Sequence, residues 1–286
     1  MAKDLLEMLK EDVVLSDGGM ILEARWRGYD TPRAIVEHPD AIRQIHRDFY
    51  HAGSQVLEAV TWFCSRSQLE RNFGWGDRLD EVNRMGVQLA VEASDGEAPV
   101  GGCLVSTRTG SWEGDPIFDP DDASSRARAQ AEWEEQIAIL VDAGADFLIP
   151  ETFSRLDEVR VCLESCKKAD VPTMVLMGVG DRTPDGASPA ECARILVDEG
   201  ADVVGTVCSG RPSRMWPVVL EMREAVDVPI GYQPSGHAGP NATVPVEEMA
   251  EYALKAKAEG INFVGACCYA GPKHIRAMAE ALGRKG

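Results

Sequence analysis

Eight short apolar runs, each followed by a stretch of helical periodicity, constrain this 286-residue chain more than any other feature. The runs occupy 13–17, 55–61, 99–105, 146–151, 172–177, 203–208, 229–233 and 261–264. The helical stretches occupy 31–53, 79–93, 129–143, 156–168, 188–199, 212–225, 246–259 and 272–282. Short apolar strands alternating with helices imply a parallel sheet. Eight such units predict a closed (β/α)8 TIM barrel, one α/β domain over residues 1–286. The helix-to-strand links support this, because Gly144, Gly200 and Gly260 each stand where a helix should end. An open doubly wound sheet would carry a glycine-rich phosphate fingerprint after its first strand, and Asp17-Gly18-Gly19 is not one. Thr31-Pro32 reads as an N-cap followed by proline at the first helical position.

Composition narrows the partners. A net charge of −18 argues against nucleic acid, whose phosphates are bound mainly by lysine and arginine. The amino terminus lacks a signal-peptide core, and no apolar run approaches a membrane span. Eight cysteines without dense spacing do not read as a disulfide framework, and reduced thiols in the cytoplasm fit them better.

Function in a barrel of this kind gathers at the C-terminal ends of the strands. There the sequence places Asp17 (strand 1), Glu151 (strand 4), Cys208 (strand 6) and the pair Cys267-Cys268 (strand 8). Three thiolates with an open fourth position describe a catalytic zinc site. The competing reading is that these are small core residues, since unpaired cysteine is commonly buried. Gln233 and His237, after strand 7, fall on the functional face. Cys103, Cys162, Cys166 and Cys192 read as structural, and Cys64 as packing or a free thiol. His38 reads as structural on an outer helix. Trp62, Trp75 and Trp112 are candidates for an aromatic cage, and the acidic loop at Trp112-Glu113-Gly114-Asp115 is placed to act as a lid.

In these residues, and above all in Cys267-Cys268 followed by Pro272-Lys273-His274-Ile275-Arg276, the chain resembles the homocysteine S-methyltransferase family, most of all its betaine–homocysteine branch. The resemblance covers almost the whole chain. Its strongest stretches are 17–19, 36–53, 146–151, 189–192 and 265–282. It implies that Cys208, Cys267 and Cys268 hold Zn2+. It also implies that Asp17 and Glu151 hold the amino group of a thiol amino acid, with Gly18 and Gln233 beside them. The implied reaction moves a methyl group from an onium-type donor to homocysteine, giving methionine. The implied partners are a small-molecule thiol and methyl donor, with no nucleic acid and no membrane, and a separate corrinoid protein is the alternative donor. Two other classes stay open: a metal-independent lyase using Asp17 and Glu151 as acid and base, and a non-catalytic zinc- or ligand-binding barrel.

The chain departs from the family pattern at several points. Val207 stands where asparagine usually precedes the single cysteine. Phe63 and Thr152 replace tyrosines of the betaine enzymes, and Asp30 stands near their donor-site tryptophan. The chain also stops at Gly286, without the C-terminal extension that the animal betaine enzymes use to assemble.

Overall fold

The computed structural model describes residues 4–107, 118–239 and 242–284. The eight expected strands are present: β1 (Val14–Leu15), β2 (Leu57–Glu58), β3 (Val100–Leu104), β4 (Phe147–Phe153), β5 (Met174–Met177), β6 (Val203–Val207), β7 (Ile230–Gln233) and β8 (Phe263–Val264). All pair in parallel, in the order β1-β8-β7-β6-β5-β4-β3-β2. The seam between β1 and β2 has no regular ladder among the described residues. Gln55 closes it instead: its N–H donates to the Leu15 carbonyl at 2.7 Å, and its side-chain carbonyl accepts from the Leu15 N–H at 3.1 Å.

Period-two alternation along the strands sorts their side chains into two cores. Val14, Phe147, Ile149, Met174, Leu176, Val203 and Phe263 fill the inside of the barrel. Leu57, Val100, Leu104, Leu148, Val175, Val204, Ile230 and Val264 join the core between the sheet and its helices. The lead helix Leu5–Glu11 sends Leu5 and Leu9 into the interior set. Because that helix directly precedes β1, it plugs the end where the strands begin and leaves the other end open.

The expected helix over 31–53 is two helices, Arg33–Glu37 and Pro39–His51. Pro39 disfavours helical backbone at the residue before it, and His38 duly leaves the helix at φ −139° and ψ 54°. Thr31 does not act as the N-cap: that position falls to Pro32, and no side chain caps the helix. Four further elements lie in the connections among the described residues: helix Met20–Trp26, helix Arg66–Phe73, the short 3-10 helix Gly76–Arg78, and a pairing of His237–Gly239 with Ala242–Thr243. They lack an extended apolar period, so hydrophobic patterning does not announce them. Arg66–Phe73 did carry a local signal, since Ser65 and Gln68 form a capping box. The helix expected at 129–143 begins earlier, at Ala123, where the Asp122 carboxylate accepts from the N–H groups of Ser124 and Ser125.

Candidate active site

Strands β6 and β8 deliver three thiols to one point. Cys208 follows β6, while Cys267 and Cys268 follow β8 after Gly265-Ala266. Their three Sγ atoms lie within 4.8 Å of one another, and those of Cys267 and Cys268 are 3.9 Å apart. Backbone hydrogen bonds hold the loops in place. The Cys208 N–H donates to Gln233 O and the Cys267 N–H to Pro234 O, both at 3.0 Å, while Cys268 O accepts from the Gly236 N–H at 2.7 Å. The first loop presses against this one. The Gly19 N–H reaches Ala270 O at 2.9 Å, and a Cβ on Gly19 would stand 2.8 Å from Cys267 O. Only glycine permits that approach.

The hydrogen bonds from Cys208 and Cys267 draw the Cys268 thiol down to about 3. The bond with Cys267 acts downward on Cys208 too, but the bond with Cys268 and burial outweigh it and leave Cys208 at about 12. Cys267 is pushed well above its ordinary value by hydrogen bonds with Cys208 and Cys268, then by burial. A cation bound by these sulfurs would displace protons from the thiols that burial and their neighbours hold protonated.

Beside the thiols lies an acidic group. Glu58 ends β2, Cys103 lies in β3 and Glu151 in β4, and their ligand atoms also fall within 4.8 Å of one another. The ladder of β4 shifts register between Glu151 and Phe153, with Thr152 at φ 60°. Such a bulge re-aims side chains at a barrel rim. One carboxylate oxygen of Glu58, Oε1, accepts from the Ser16 hydroxyl at 2.7 Å and from the Gln233 amide at 2.5 Å. The Glu58 N–H donates to Asp17 Oδ2 at 3.0 Å, while Asp17 Oδ1 is buried without a partner. Burial first, then the charge of Glu58, hold both Asp17 and Glu151 well above the usual carboxylate range. Burial also raises Glu58. The hydrogen-bond partners of these carboxylates are neutral: Ser16, Gln233, Cys103 and a backbone N–H. A buried carboxylate cluster without a cation is a site that favours one.

Both groups border one cavity of about 460 Å³, well sized for a small ligand. Trp62, Phe63 and Phe73 form an aromatic wall, while Arg25 and Asp30 border the same space. Phe63, Thr152 and Cys208, all on the lining, are non-glycine residues at φ 64°, 60° and 58°. Backbone of this kind persists only where surrounding structure imposes it, and it gathers at working sites.

The model of the homocysteine S-methyltransferase family matches residues 14–282. The chain belongs to that family. It is 30% identical to the S-methylmethionine–homocysteine S-methyltransferase of Pongo abelii, over 98% of this chain and 81% of that one. It is also 30% identical to betaine–homocysteine S-methyltransferase 1 of Danio rerio, over 98% of this chain and 76% of the relative. In fold it matches the metallated form of the Escherichia coli homocysteine methyltransferase MmuM, with a TM-score of 0.79 at 21% identity, covering 97% of this chain and 99% of that one.

For this homocysteine S-methyltransferase family member, the structure brings together Cys208, Cys267, Cys268, Glu151, Gly18 and Gln233, which all line the cavity. Asp17 lies just behind, wholly buried and not on the lining. Gln233 directs its amide to Glu58 and to Ser16 Oγ at 3.1 Å. Cys103, expected to be structural, borders the cavity with its thiol against Glu151. Glu58 was not singled out in the sequence, although an acidic residue inside the run Val56-Leu57-Glu58-Ala59-Val60 is the signal that would have found it. Cys64 is buried, with its Sγ toward the carbonyls of Val60 and Trp62, and does not border the cavity. Cys162, Cys166 and Cys192 are buried on outer helices. His237 is exposed and sets its ring, tilted by 53°, against that of Tyr269 with centroids 4.7 Å apart, off the lining. Trp75 is held by Arg78 at 4.3 Å, also off the lining. Trp112 and the loop to Asp115 lie outside the described residues.

Proposed function

We propose that this chain is a zinc-dependent thiol S-methyltransferase that moves a methyl group from an onium-type donor to homocysteine, giving methionine. The observation that carries the reading is the convergence of three thiols beside the acidic group on a single cavity. The thiols suit zinc. Tetrahedral Zn–S bonds of about 2.3 Å put sulfurs roughly 3.8 Å apart, and Cys267 and Cys268 stand at 3.9 Å. Zinc held by Cys208, Cys267 and Cys268 would keep one position open and supply there the deprotonation of an incoming thiol. All eight cysteines are free, which suits a reducing compartment such as the cytoplasm. Among the described residues no helix is long and apolar enough to cross a membrane.

Asp17, Gly18, Glu151 and Gln233 are the substrate-side residues of this reading. The acidic floor suits an ammonium group through charge-assisted hydrogen bonds. The wall of Trp62, Phe63 and Phe73 suits the face of an onium cation. In the reaction, the acceptor sulfur forms a bond to the donor's methyl carbon. The bond from that carbon to the onium atom breaks, and its electron pair leaves with a neutral product. The chain itself orients the two substrates and excludes water from between them.

The test is zinc stoichiometry on anaerobically purified protein, wild type beside Cys208→Ser, with homocysteine titrated into each. About one zinc per chain, lost in the variant, with proton release on homocysteine binding, is the expected result. A folded, reduced wild type without zinc would refute it.

A further inference from the structure

Pro272-Lys273-His274-Ile275-Arg276 follows the cysteine pair in sequence, yet none of these residues borders the cavity. His274 is 1% exposed and engages both ring nitrogens. Its Nδ1 accepts from the Gly271 N–H at 3.1 Å, which leaves the ring proton on Nε2, and Nε2 donates to the Val244 carbonyl at 3.0 Å. Burial foremost holds its pKa below the ordinary 6.5, so the ring is neutral at pH 7 and keeps this tautomer. In helix Pro272–Ala281 His274 is the third residue, where a capping box ordinarily carries Glu or Gln to serve the N-cap N–H. The imidazole serves that N–H and also reaches a second segment of the chain.

That segment leads back to the thiols. The Val244 N–H donates to Gly236 O at 2.6 Å, and the Gly236 N–H to Cys268 O at 2.7 Å. The Ser235 hydroxyl donates to the same Cys268 carbonyl at 3.2 Å. A Cβ on Gly236 would stand 2.6 Å from the Tyr269 carbonyl, so the two loops lie backbone against backbone. From Cys268 the chain passes through Tyr269, at φ 66°, and Ala270 to Gly271, where His274 closes the hydrogen-bonded ring. Ser235 and Gly236 therefore hold the loop at Cys268, and His274 holds it where it enters the helix.

We propose that His274 is a positioning residue for the metal centre: through Val244 and Gly236 it locks the Cys267-Cys268 loop in the arrangement that meets Cys208. The proposal rests on the reading of the three thiols as a zinc site. Without the imidazole, the loop of the metal-free protein gains other arrangements, and a cation binds only the fraction that keeps the competent one.

The experiment is a competition titration of zinc against a chromophoric chelator, under anaerobic reducing conditions at neutral pH. It compares wild type, His274→Leu and His274→Gln, beside thermal unfolding of each metal-free protein. Leucine fills the space and makes neither hydrogen bond. A neutral hydrogen bond translates to roughly two- to tenfold in an equilibrium constant, so His274→Leu should weaken zinc by about tenfold or more. Glutamine keeps an acceptor for the Gly271 N–H and an amide donor beside it, and should restore zinc affinity to within about threefold of wild type. A residue that serves only the fold would lower the thermal midpoint of His274→Leu and leave the zinc affinity of its folded fraction unchanged. That result overturns the proposal, and so does a glutamine variant as weak as the leucine one. Should His274→Leu fail to fold, His274→Asn decides. Its shorter side chain keeps the Gly271 N–H bonded and loses Val244, so zinc should weaken about threefold, and an unchanged affinity overturns the proposal. Wild type that binds no zinc takes the zinc reading down together with the proposal, whereas the other adverse results leave that reading standing.

Discussion

The two ends of the barrel use the same strands in opposite ways. At the closed end, Leu5, Leu9, Val14, Phe147, Met174, Val203 and Phe263 form an apolar plug with no titratable group among them. At the open end, three thiols and two carboxylates border one cavity, with a third carboxylate, Asp17, buried behind them and left-handed backbone at Phe63, Thr152 and Cys208. The closed end gains free energy by removing apolar surface from water, about 25 cal/mol per Å². The open end gathers desolvated charge and strained backbone that destabilise an empty site. One end holds the fold together and the other carries the chemistry, so stability and function should separate by mutation.

The largest effect should come from the open end. Cys208→Ser is expected to lower turnover roughly a thousandfold or more, since a metal centre supplies several kcal/mol of activation, while shifting the thermal midpoint of metal-free protein little. Turnover with a screened onium donor, alongside thermal unfolding, checks both halves. Phe147→Ala should do the reverse. Phe147 is fully buried inside the barrel, and truncating a buried phenylalanine costs about 3–5 kcal/mol. Denaturant unfolding should register that loss while the folded fraction still binds one zinc per chain. A Phe147→Ala protein of wild-type stability, or one that folds but holds no zinc, would break the division between the ends.

A third region sharpens the comparison, because it is polar and buried without belonging to the mouth. His46, on helix Pro39–His51, is fully buried with neither ring nitrogen bonded, and burial alone lowers it from 6.5 to about 3. The folded state therefore refuses a proton that the unfolded chain accepts below pH 6.5. Stability from this residue is complete above pH 6.5 and falls as pH drops toward 3, by about 1.4 kcal/mol per pH unit. His46→Phe should remove that slope. Subtracting its unfolding free energy from that of wild type at pH 7 and pH 5 should leave a difference of about 2 kcal/mol, and an identical pH dependence in the two proteins would refute it.

The closed end was more legible in the sequence than the open end, for a physical reason. Apolar periodicity records burial, so Phe147, Val203 and Phe263 announce themselves as strands, and the glycines at 144, 200 and 260 mark the links. Cys208, Cys267 and Cys268 were legible as strand-end residues, and Glu151 likewise. Glu58 carried only the mark of an acidic residue inside an apolar run and Cys103 carried none, because their meaning comes from the neighbours that β2, β3 and β4 give them. Gln233 was placed on the correct face, but its bonds to Glu58 and Ser16 join residues 175 and 217 positions away. No local pattern encodes such a pair. The helix break at His38 was legible in Pro39 and was nonetheless read through, since the apolar positions on either side keep a helical period.

The smallest effect separates unpartnered polar atoms that serve a ligand from those that serve nothing. Asp17 Oδ1 and Thr206 Oγ1 are both buried and unbonded. Asp17 stands against Glu58 below the cavity, whereas Thr206 does not border the cavity. Thr206 sits on β6 between Gly205 and Val207, in register with Met177 and Tyr232. Along that strand Val203 and Val207 face the barrel interior and Val204 the helices, so alternation turns Thr206 toward the helices. A desolvated hydroxyl there opposes folding with nothing in return, and valine has the same branched shape without it. Thr206→Val should therefore stabilise the protein by about 1 kcal/mol, a conservative share of the penalty for an unsatisfied buried polar group. Homocysteine affinity and zinc content should stay unchanged. Chemical denaturation reads the first and calorimetry the second. A stabilised Thr206→Val with impaired homocysteine binding would place the helix-facing side of β6 within the working site and redraw the boundary between the two regions.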